Sequence, residues 1–230
     1  MKIHLVDKMI KAIFIDIDDT ILDWHLCSHQ AASIAAKKLN IQLPSNFFDV
    51  LDEVNQDLWD RYDRKEIDFE TIKAIRFKTI FEKTNIIANP IEFEAEFREG
   101  VRDSTIEVEG ARDLLEYLYS KYYVFAASNS NLYQQVRRLS RSALLDYFND
   151  LFISEDIGHR KPSKEFFIEC IKRSHFEPDE IIVIGDSLTT DIQGANNANL
   201  KSIWYNPKRK EVNHSATYMV YDLNEIKKIL

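Results

Sequence analysis

Acidic, hydroxyl and lysine side chains stand directly after several short apolar runs of this sequence. Asp16 and Asp18 follow the run KAIFI, Ser128 follows YYVFAA, and Asp186 follows IIVIG. Lys161 lies one loop beyond a fourth run, LFIS. If these runs are parallel strands of one sheet, their carboxyl ends meet at one edge, which is where open α/β sheets bind ligands. The sequence therefore predicts a single site that combines carboxylates, a hydroxyl and a lysine.

The carboxylates of this predicted site require a counter-charge. Several carboxylates held together are costly unless a cation neutralises them or they take up protons. A set of oxygen ligands with no nearby His or Cys favours a hard ion, so we expect Mg²⁺ rather than Zn²⁺. Such an ion would let an acidic site accept an anionic phosphate, with Lys161 adding positive charge.

Two aspartates at the end of one predicted strand could divide the catalytic work. Asp16 would be the nucleophile, because an acyl-phosphate intermediate splits one difficult displacement into two easier ones. Asp18 would donate a proton to the leaving oxygen and then take one from the hydrolytic water. Ser128, Asn129 and the amides near them would hold the phosphoryl oxygens, while Lys161 would stabilise the charge of the transferring group.

Apolar, β-branched runs alternate with helical patterns in the second half of the chain. The predicted strands are Lys11–Ile17, Tyr122–Ala127, Leu151–Ser154, Ile181–Ile184, Lys201–Tyr205 and Tyr218–Tyr221. The helical patterns between them include Ala111–Lys121, Leu132–Leu145 and Ser163–Ser174. Strands that alternate with helices indicate an α/β fold in which helices cover both faces of a parallel sheet.

The periodicity of the apolar residues changes between about Trp24 and Thr105, where strand signals disappear and apolar residues recur at helical spacing. We interpret these apolar stripes as the core of a helical bundle rather than as a cofactor site. An all-helical block after the first strand could form a lid over the strand ends. The predicted division is therefore a catalytic core of residues 1–22 and 106–230 and a helical cap of residues 23–105.

The overall properties exclude several classes of partner. The net charge of −8 argues against nucleic acid and anionic membranes as partners. Apolar runs fall short of the roughly 20 residues that span a bilayer, and the N-terminus lacks the layout of a cleavable signal peptide. Two cysteines, Cys27 and Cys170, are too few for a disulfide framework or a zinc site. We expect a cytoplasmic monomer or weak homodimer, with Met9 as an alternative start to Met1.

Taken together, four groups of these residues resemble, in order, the four motifs of the haloacid dehalogenase-like superfamily. They are DIDDT at Asp16–Thr20, Ser128 in AASNS, Lys161 in HRKPSKEFF, and GDSLTTD with Asp186 and Asp191. The resemblance runs from about Ile10 to Leu230. It implies a Rossmann-like core with a helical cap inserted between the first and second motifs. It also implies Mg²⁺ held by Asp16, the backbone carbonyl of Asp18, and Asp186, with Thr20 and Asp191 in supporting positions.

Within the superfamily, the chain is similar to the branch that contains pyrimidine 5′-nucleotidases. Three segments carry this similarity: GDSLTTDIQGANNANLKSIWYNP, LFISEDIGHRKP and LWDRYDRKEID. We therefore expect hydrolysis of small phosphorylated metabolites, with nucleoside 5′-monophosphates favoured. The alternatives are a sugar-phosphate phosphatase, a phosphomutase or, remotely, a non-catalytic binding module. Asp18 argues against a dehalogenase, which has no alkoxide leaving group to protonate.

Some polar residues near the motifs also have purely structural interpretations. Asp191 and Asn129 could cap the helices that follow them. Asp19 and Asp23 are interpreted as exposed or capping acids. His25 could face the substrate beneath the cap, or it could be a polar residue of the hinge.

Overall fold

A computed structural model describes residues 9–230 of the chain. The prediction that no signal peptide is present depends largely on residues 1–8, which lie outside the described residues. The chain divides into two compact units. The core unit comprises the residues up to Asp23 together with Thr105–Leu230, and the helical unit comprises Trp24–Ser104. Within the described part of the chain, none of the helices meets the length and hydropathy of a membrane span.

Parallel strands of the described residues form a six-stranded sheet in the core unit. The strands are β1 (Ala12–Ile15), β2 (Tyr123–Ser128), β3 (Asp150–Ile153), β4 (Ile181–Gly185), β5 (Lys201–Tyr205) and β6 (Tyr218–Val220). Their order across the sheet is β3-β2-β1-β4-β5-β6, and every neighbouring pair is parallel. The predicted α/β fold is confirmed, and each predicted strand is present to within two residues at either end.

Helices pack on this sheet because both of its faces are apolar. The helices are α5 (Ala111–Tyr119), α6 (Leu132–Arg141), α7 (Ser154–Ile157), α8 (Lys164–Ser174) and α9 (Gln193–Asn197). Alternate residues of β1 point to opposite faces, so Ile13 and Ile15 enter one apolar cluster while Ala12 and Phe14 enter the other. Strands buried on both faces are typical of parallel sheets covered by helices.

One predicted helix is shorter than its apolar pattern indicated. Helix α6 ends at Arg141 instead of continuing to Leu145. Ala143 adopts a left-handed conformation with φ of 52°, which stops the helix before a 3₁₀ turn at Leu145–Tyr147. The apolar pattern extends past the end of the helix because Leu144, which follows it, is also buried in the core.

Strand β1 lies at the point where the order of the strands reverses. The chain places β2 and β3 on one side of β1, then crosses to place β4, β5 and β6 on the other side. Ile15 is paired with Ala126 of β2 and with Ile184 of β4, so these three strands end within two residues of one another. The crevice at such a reversal is the usual ligand site of an open α/β sheet.

The helical unit, all of whose residues are described, contains four long helices. They are α1 (Trp24–Lys38), α2 (Phe47–Asp63), α3 (Phe69–Thr84) and α4 (Pro90–Asp103). The predicted stripes are buried in a common apolar cluster that includes Phe47, Leu51, Ile72, Phe77 and Phe93. Their interpretation as bundle core is therefore confirmed.

Buried charge interrupts the core of the helical unit. Arg76 of α3 and Glu94 of α4 are 2% and 5% exposed, and Arg76 Nε lies 3.4 Å from Glu94 Oε2. The Arg76 guanidinium also lies over the Phe97 ring, 5.0 Å from its centroid. Burial raises the pKa of Glu94 to about 7, although Arg76 opposes this rise. Glu94 is therefore a titratable group in the interior of the bundle.

Candidate active site

Asp16 is the first residue after β1 and is held at the sheet edge by its backbone. Its amide donates to the carbonyl of Ile184 in β4, at 2.9 Å. The chain then turns tightly, with the Leu22 amide donating to the carbonyl of Ile17 at 2.8 Å. This turn places Asp18 and the fully buried Thr20 close after Asp16. The first predicted motif is therefore a strand end followed by one compact turn.

Lys161 reaches the same sheet edge from the loop before α8. Its Nζ lies 2.6 Å from each of three oxygens: Asp16 Oδ1, Asp191 Oδ1 and the backbone carbonyl of Ala127. Burial alone would lower the pKa of Lys161, but the carboxylates of Asp16 and Asp191 outweigh it and raise this pKa. Lys161 is therefore a permanent positive charge among the carboxylates.

Asn129 positions Lys161 through a paired contact between its side chain and the Lys161 backbone. The Asn129 amide nitrogen donates to the Lys161 carbonyl, and its oxygen accepts from the Lys161 amide, both at 2.9 Å. Asn129 does not cap the following helix, because Asn131 is the N-cap of α6 and accepts from the Gln134 amide. The predicted contact of Asn129 with phosphate stays a prediction, beside those of Ser128 and the backbone amides near it.

Asp191 approaches the cluster through a gap that a glycine leaves. A Cβ atom on Gly185 would lie 2.3 Å from the Asp191 carboxyl group, so a larger residue at this position would displace Asp191. Asp191 Oδ2 accepts from the Ser187 amide at 3.1 Å. Asp191 is not a helix cap, because Ser187 is the N-cap of the turn Leu188–Ile192.

Three carboxylates converge at this edge of the sheet. Asp16, Asp186 and Asp191 can each offer one oxygen, and these oxygens lie within 4.8 Å of one another. Burial raises the pKa of Asp16 to about 8, with Lys161 opposing the rise and Asp191 adding to it. Burial and the neighbouring carboxylates also raise the pKa of Asp186 well above its usual range. These raised pKa values show that the carboxylates are held together at a cost that bound protons or a cation must offset, and an all-oxygen cluster fits a hard divalent cation such as Mg²⁺.

The supporting residues of this cluster stay predictions in their roles, but their positions are clear. Thr20 Oγ donates to Asp186 Oδ1 over 3.5 Å, and Trp204 Nε1 donates to the Asp186 carbonyl at 2.8 Å. The cluster also contains Asp191, which was predicted as a supporting residue rather than as a metal ligand. The two carboxylate oxygens of Asp191 accept hydrogen bonds from Lys161 Nζ and from the Ser187 amide. These contacts suit Asp191 to orienting Lys161.

Asp18 is held by two side chains of α6 that the sequence analysis did not identify. Gln135 Nε2 donates to Asp18 Oδ2 at 2.8 Å and lies 3.0 Å from Ser128 Oγ. Arg138 Nη1 donates to Asp18 Oδ1, and Arg138 and Gln135 are both fully buried. The proposed acid–base residue and the proposed phosphate-binding hydroxyl are thus linked through one glutamine.

A sequence signal for these two residues does exist. Helix α6 buries its Gln135, Arg138 and Leu139 positions, which follow helical spacing. Two polar residues on the buried face of a helix require partners, because burying an unpaired polar group or charge is costly. The pattern therefore indicates that Gln135 and Arg138 have buried partners, although it does not name Asp18.

Comparison with known proteins agrees with this geometry. Residues 10–199 match the profile of the haloacid dehalogenase-like hydrolases. The chain belongs to this family. Its core unit carries the four predicted haloacid dehalogenase-like motifs at the ends of β1, β2 and β4 and on the loop before α8.

Several relatives of this family match almost the whole chain. Pyrimidine 5′-nucleotidase PynA of Streptococcus pneumoniae is 31% identical over 94% of this chain and 93% of its own length. The putative HAD-hydrolase YfnB of Bacillus subtilis is 30% identical over 97% of this chain and 96% of its own length. Glyceraldehyde 3-phosphate phosphatase of Pyrococcus furiosus is 25% identical over 97% of this chain and 94% of its own length.

The solved structure of YfnB, which is bound to magnesium, extends this likeness to three dimensions. It superposes with a TM-score of 0.90 and 29% identity, covering 96% of this chain and 99% of that chain. The family and its phosphatase relatives confirm the predicted enzyme class, a hydrolase of phosphoric monoesters.

Proposed function

We propose that this hydrolase is a Mg²⁺-dependent phosphatase that acts through an aspartyl-phosphate on Asp16 and favours nucleoside 5′-monophosphates. The observation that carries the proposal is the buried arrangement of Asp16, with Lys161 Nζ at 2.6 Å and two further carboxylates beside it. A carboxylate in that position is near a fixed positive charge and at the strand edge where an α/β fold binds ligands.

The side chains of the site would take part in a two-step transfer. In the first step an Asp16 oxygen forms a bond to phosphorus, the ester P–O bond breaks, and Asp18 donates its proton to the leaving oxygen. In the second step Asp18 takes a proton from water as the water oxygen attacks phosphorus, and the bond from phosphorus to Asp16 breaks. Ser128 and Lys161 would hold the phosphoryl oxygens in both steps.

The carboxylates of Asp16 and Asp186 and the backbone carbonyl of Asp18 would hold Mg²⁺. When bound, this ion would neutralise the surplus carboxylate charge and stabilise the charge on the phosphoryl oxygens. The raised pKa of Asp16 and the shared burial of the cluster support a cation here. The magnesium bound in the YfnB structure supports the same choice of ion.

The relatives favour a nucleotide over other phosphomonoesters as the substrate. PynA is a pyrimidine 5′-nucleotidase and aligns along nearly the full length of the chain at 31% identity. We therefore infer that pyrimidine nucleoside 5′-monophosphates, including dUMP and dTMP, are the best substrates. Apolar and stacking contacts discriminate weakly between similar ligands, so the specificity should be broad.

A second candidate is a sugar-phosphate phosphatase. The alignment with glyceraldehyde 3-phosphate phosphatase covers 97% of the chain, although at the lower identity of 25%. A phosphomutase would use the same pair of Asp16 and Asp18, and it would return the phosphoryl group to a sugar rather than to water.

A panel of phosphomonoesters tests these alternatives. Purified enzyme should release phosphate faster from dUMP and dTMP than from hexose or triose phosphates, with Asp16→Asn as the inactive control. A triose or hexose phosphate turned over tenfold faster than every nucleotide would overturn the nucleotidase proposal while leaving the phosphatase assignment in place. Interconversion of sugar phosphates without phosphate release would indicate the mutase.

A further inference from the structure

Outside the catalytic cluster, a second group of potential metal ligands lies in the helical unit. His25 and His29 of α1 and Asp52 of α2 each offer one ligand atom, and these three atoms lie within 4.8 Å of one another. His29 Nε2 is 2.8 Å and His25 Nδ1 is 3.3 Å from the same oxygen, Asp52 Oδ1. Two imidazole nitrogens therefore converge on one carboxylate oxygen.

The two helices hold these groups in place. Residues four apart on a helix lie on the same face, so the start of α1 presents both imidazoles to α2. The centroids of the His25 and His29 rings are 4.3 Å apart. The His29 ring also stacks on Phe48 of α2, with centroids 4.5 Å apart and planes inclined by 28°. This stacking fixes the direction in which His29 Nε2 points.

Two of the spacings among these three atoms are close to those of ligands around a metal ion. Nitrogen and oxygen ligands about 2.0–2.1 Å from a tetrahedral zinc ion lie about 3.3 Å from one another. His29 Nε2 and His25 Nδ1 lie 2.8 and 3.3 Å from Asp52 Oδ1, and these separations differ from this value by half an ångström or less. We propose that His25, His29 and Asp52 form a second metal site, which binds a divalent transition metal such as Zn²⁺.

The ligand types decide which ion this site would prefer. Imidazole nitrogen suits zinc and related transition metals, whereas Mg²⁺ is held by oxygen ligands alone. The catalytic cluster consists of carboxylates, so the two sites should differ in the ions they take up. The His25 side chain is 51% exposed, which leaves access for water as a further ligand.

A hydrogen-bonded His–Asp pair is the simplest alternative account of these contacts. His29 and Asp52 alone would form that pair, with side chains 23% and 33% exposed. A partly exposed pair of this kind stabilises a protein little, and it gives no reason for a second imidazole on the same oxygen. A metal ion would use all three side chains and would join α1 to α2.

Zinc binding in the presence of magnesium tests the site. The wild-type enzyme would be treated with a chelator, transferred to buffer with millimolar Mg²⁺ to occupy the catalytic cluster, and titrated with Zn²⁺ in a calorimeter. One Zn²⁺ should bind per chain with a dissociation constant in the micromolar range. His29→Ala and Asp52→Asn should each weaken this binding about tenfold or more. Bound Co²⁺ should show the visible absorption of a low-coordinate nitrogen and oxygen site, and this signal should be lost in the same variants.

Matched variants make the result decisive. His175→Asn removes an exposed histidine of the core unit at a left-handed position that Asn also adopts, so it should bind Zn²⁺ like the wild type. His29→Gln keeps a side-chain N–H for Asp52 but removes the imidazole, which serves if His29→Ala does not fold. The proposal is overturned if Zn²⁺ does not bind, or if binding persists in His29→Gln and Asp52→Asn. Loss of Zn²⁺ binding in Asp16→Asn alone would also overturn it, because the ion would then lie in the catalytic cluster.

Discussion

Replacing Asp18 by Asn should destabilise the protein as well as inactivate it. From the sequence alone, this substitution would be expected to leave folding largely intact. The structure shows that both Asp18 oxygens accept, Oδ1 from Arg138 and Oδ2 from Gln135. An Asn side chain has one acceptor oxygen and one NH₂ group, which donates. Its NH₂ group would therefore face a donor, either Gln135 Nε2 or Arg138 Nη1. The guanidinium of Arg138 would also lose its carboxylate.

The magnitude follows from the burial of the two partners. Breaking a fully buried ion pair by removing one partner costs about 3–5 kcal/mol. The Arg138 side chain is fully buried but that of Asp18 is 29% exposed, so water can partly replace the lost interaction. We therefore expect a loss of about 2–3 kcal/mol in the free energy of unfolding, between the buried and exposed limits. For a chain of this size, that loss lowers the melting temperature by about 4–12 °C.

A double-mutant cycle separates this effect from the loss of catalysis. Arg138→Met removes the stranded charge, so Asp18→Asn combined with Arg138→Met should recover stability, with a coupling energy of about 1–3 kcal/mol. Turnover should stay about 10²–10⁴-fold below the wild type in both variants that lack the Asp18 carboxylate. Urea unfolding and phosphate release from an alkyl phosphate measure the two quantities, and the exposed Asp146→Asn serves as the charge-matched control. A coupling energy near zero would show that Asp18 and Arg138 do not stabilise the protein as a pair.

Three further predictions concern the cation and the buried charges. Activity should be lost in EDTA, restored by Mg²⁺ and inhibited by Ca²⁺, because the larger ion takes more oxygen ligands and would engage both oxygens of Asp16; equal rates in EDTA and Mg²⁺ would contradict this. Lys161→Met should lower the melting temperature by about 6–20 °C without Mg²⁺, since it strands two buried carboxylates at a cost of about 3–5 kcal/mol, and Mg²⁺ should recover part of the loss in thermal melts. The pKa of Glu94 is raised from 4.5 to about 7 in the folded state. Between these two pH values the folded protein keeps a proton on Glu94 that the unfolded chain has lost, so the stability of the wild type should fall as pH rises through this interval. The free energy of unfolding of Glu94→Gln, relative to that of the wild type, should therefore rise by about 3 kcal/mol between pH 4.5 and 8 in urea titrations. If the difference between the two free energies did not change with pH, the assigned titration of Glu94 would be contradicted.

The strands, the helical insertion and the four motifs could all be predicted from the sequence. Period-2 and period-3.6 apolar patterns are local properties, and each depends on residues within a few positions of one another. The run KAIFI predicts a buried strand whichever strands lie beside it, and Asp16 must then follow the end of that strand. Placing Asp16, Ser128 and Asp186 at one edge required one more step, namely that parallel strands align their carboxyl ends.

The contacts that orient these groups were decided by the tertiary structure alone. Gln135 and Arg138 lie 117 and 120 residues from Asp18, and they reach it only because β2, which precedes α6, pairs directly with β1. The pairing of Asn129 with the Lys161 backbone likewise joins the end of β2 to the loop before α8. No local pattern encodes such contacts, because they depend on the order of strands in the sheet and on which side chains then fall within hydrogen-bonding distance. The residue types indicate which side chains are reactive, and the order of the strands decides which of them hold one another in place.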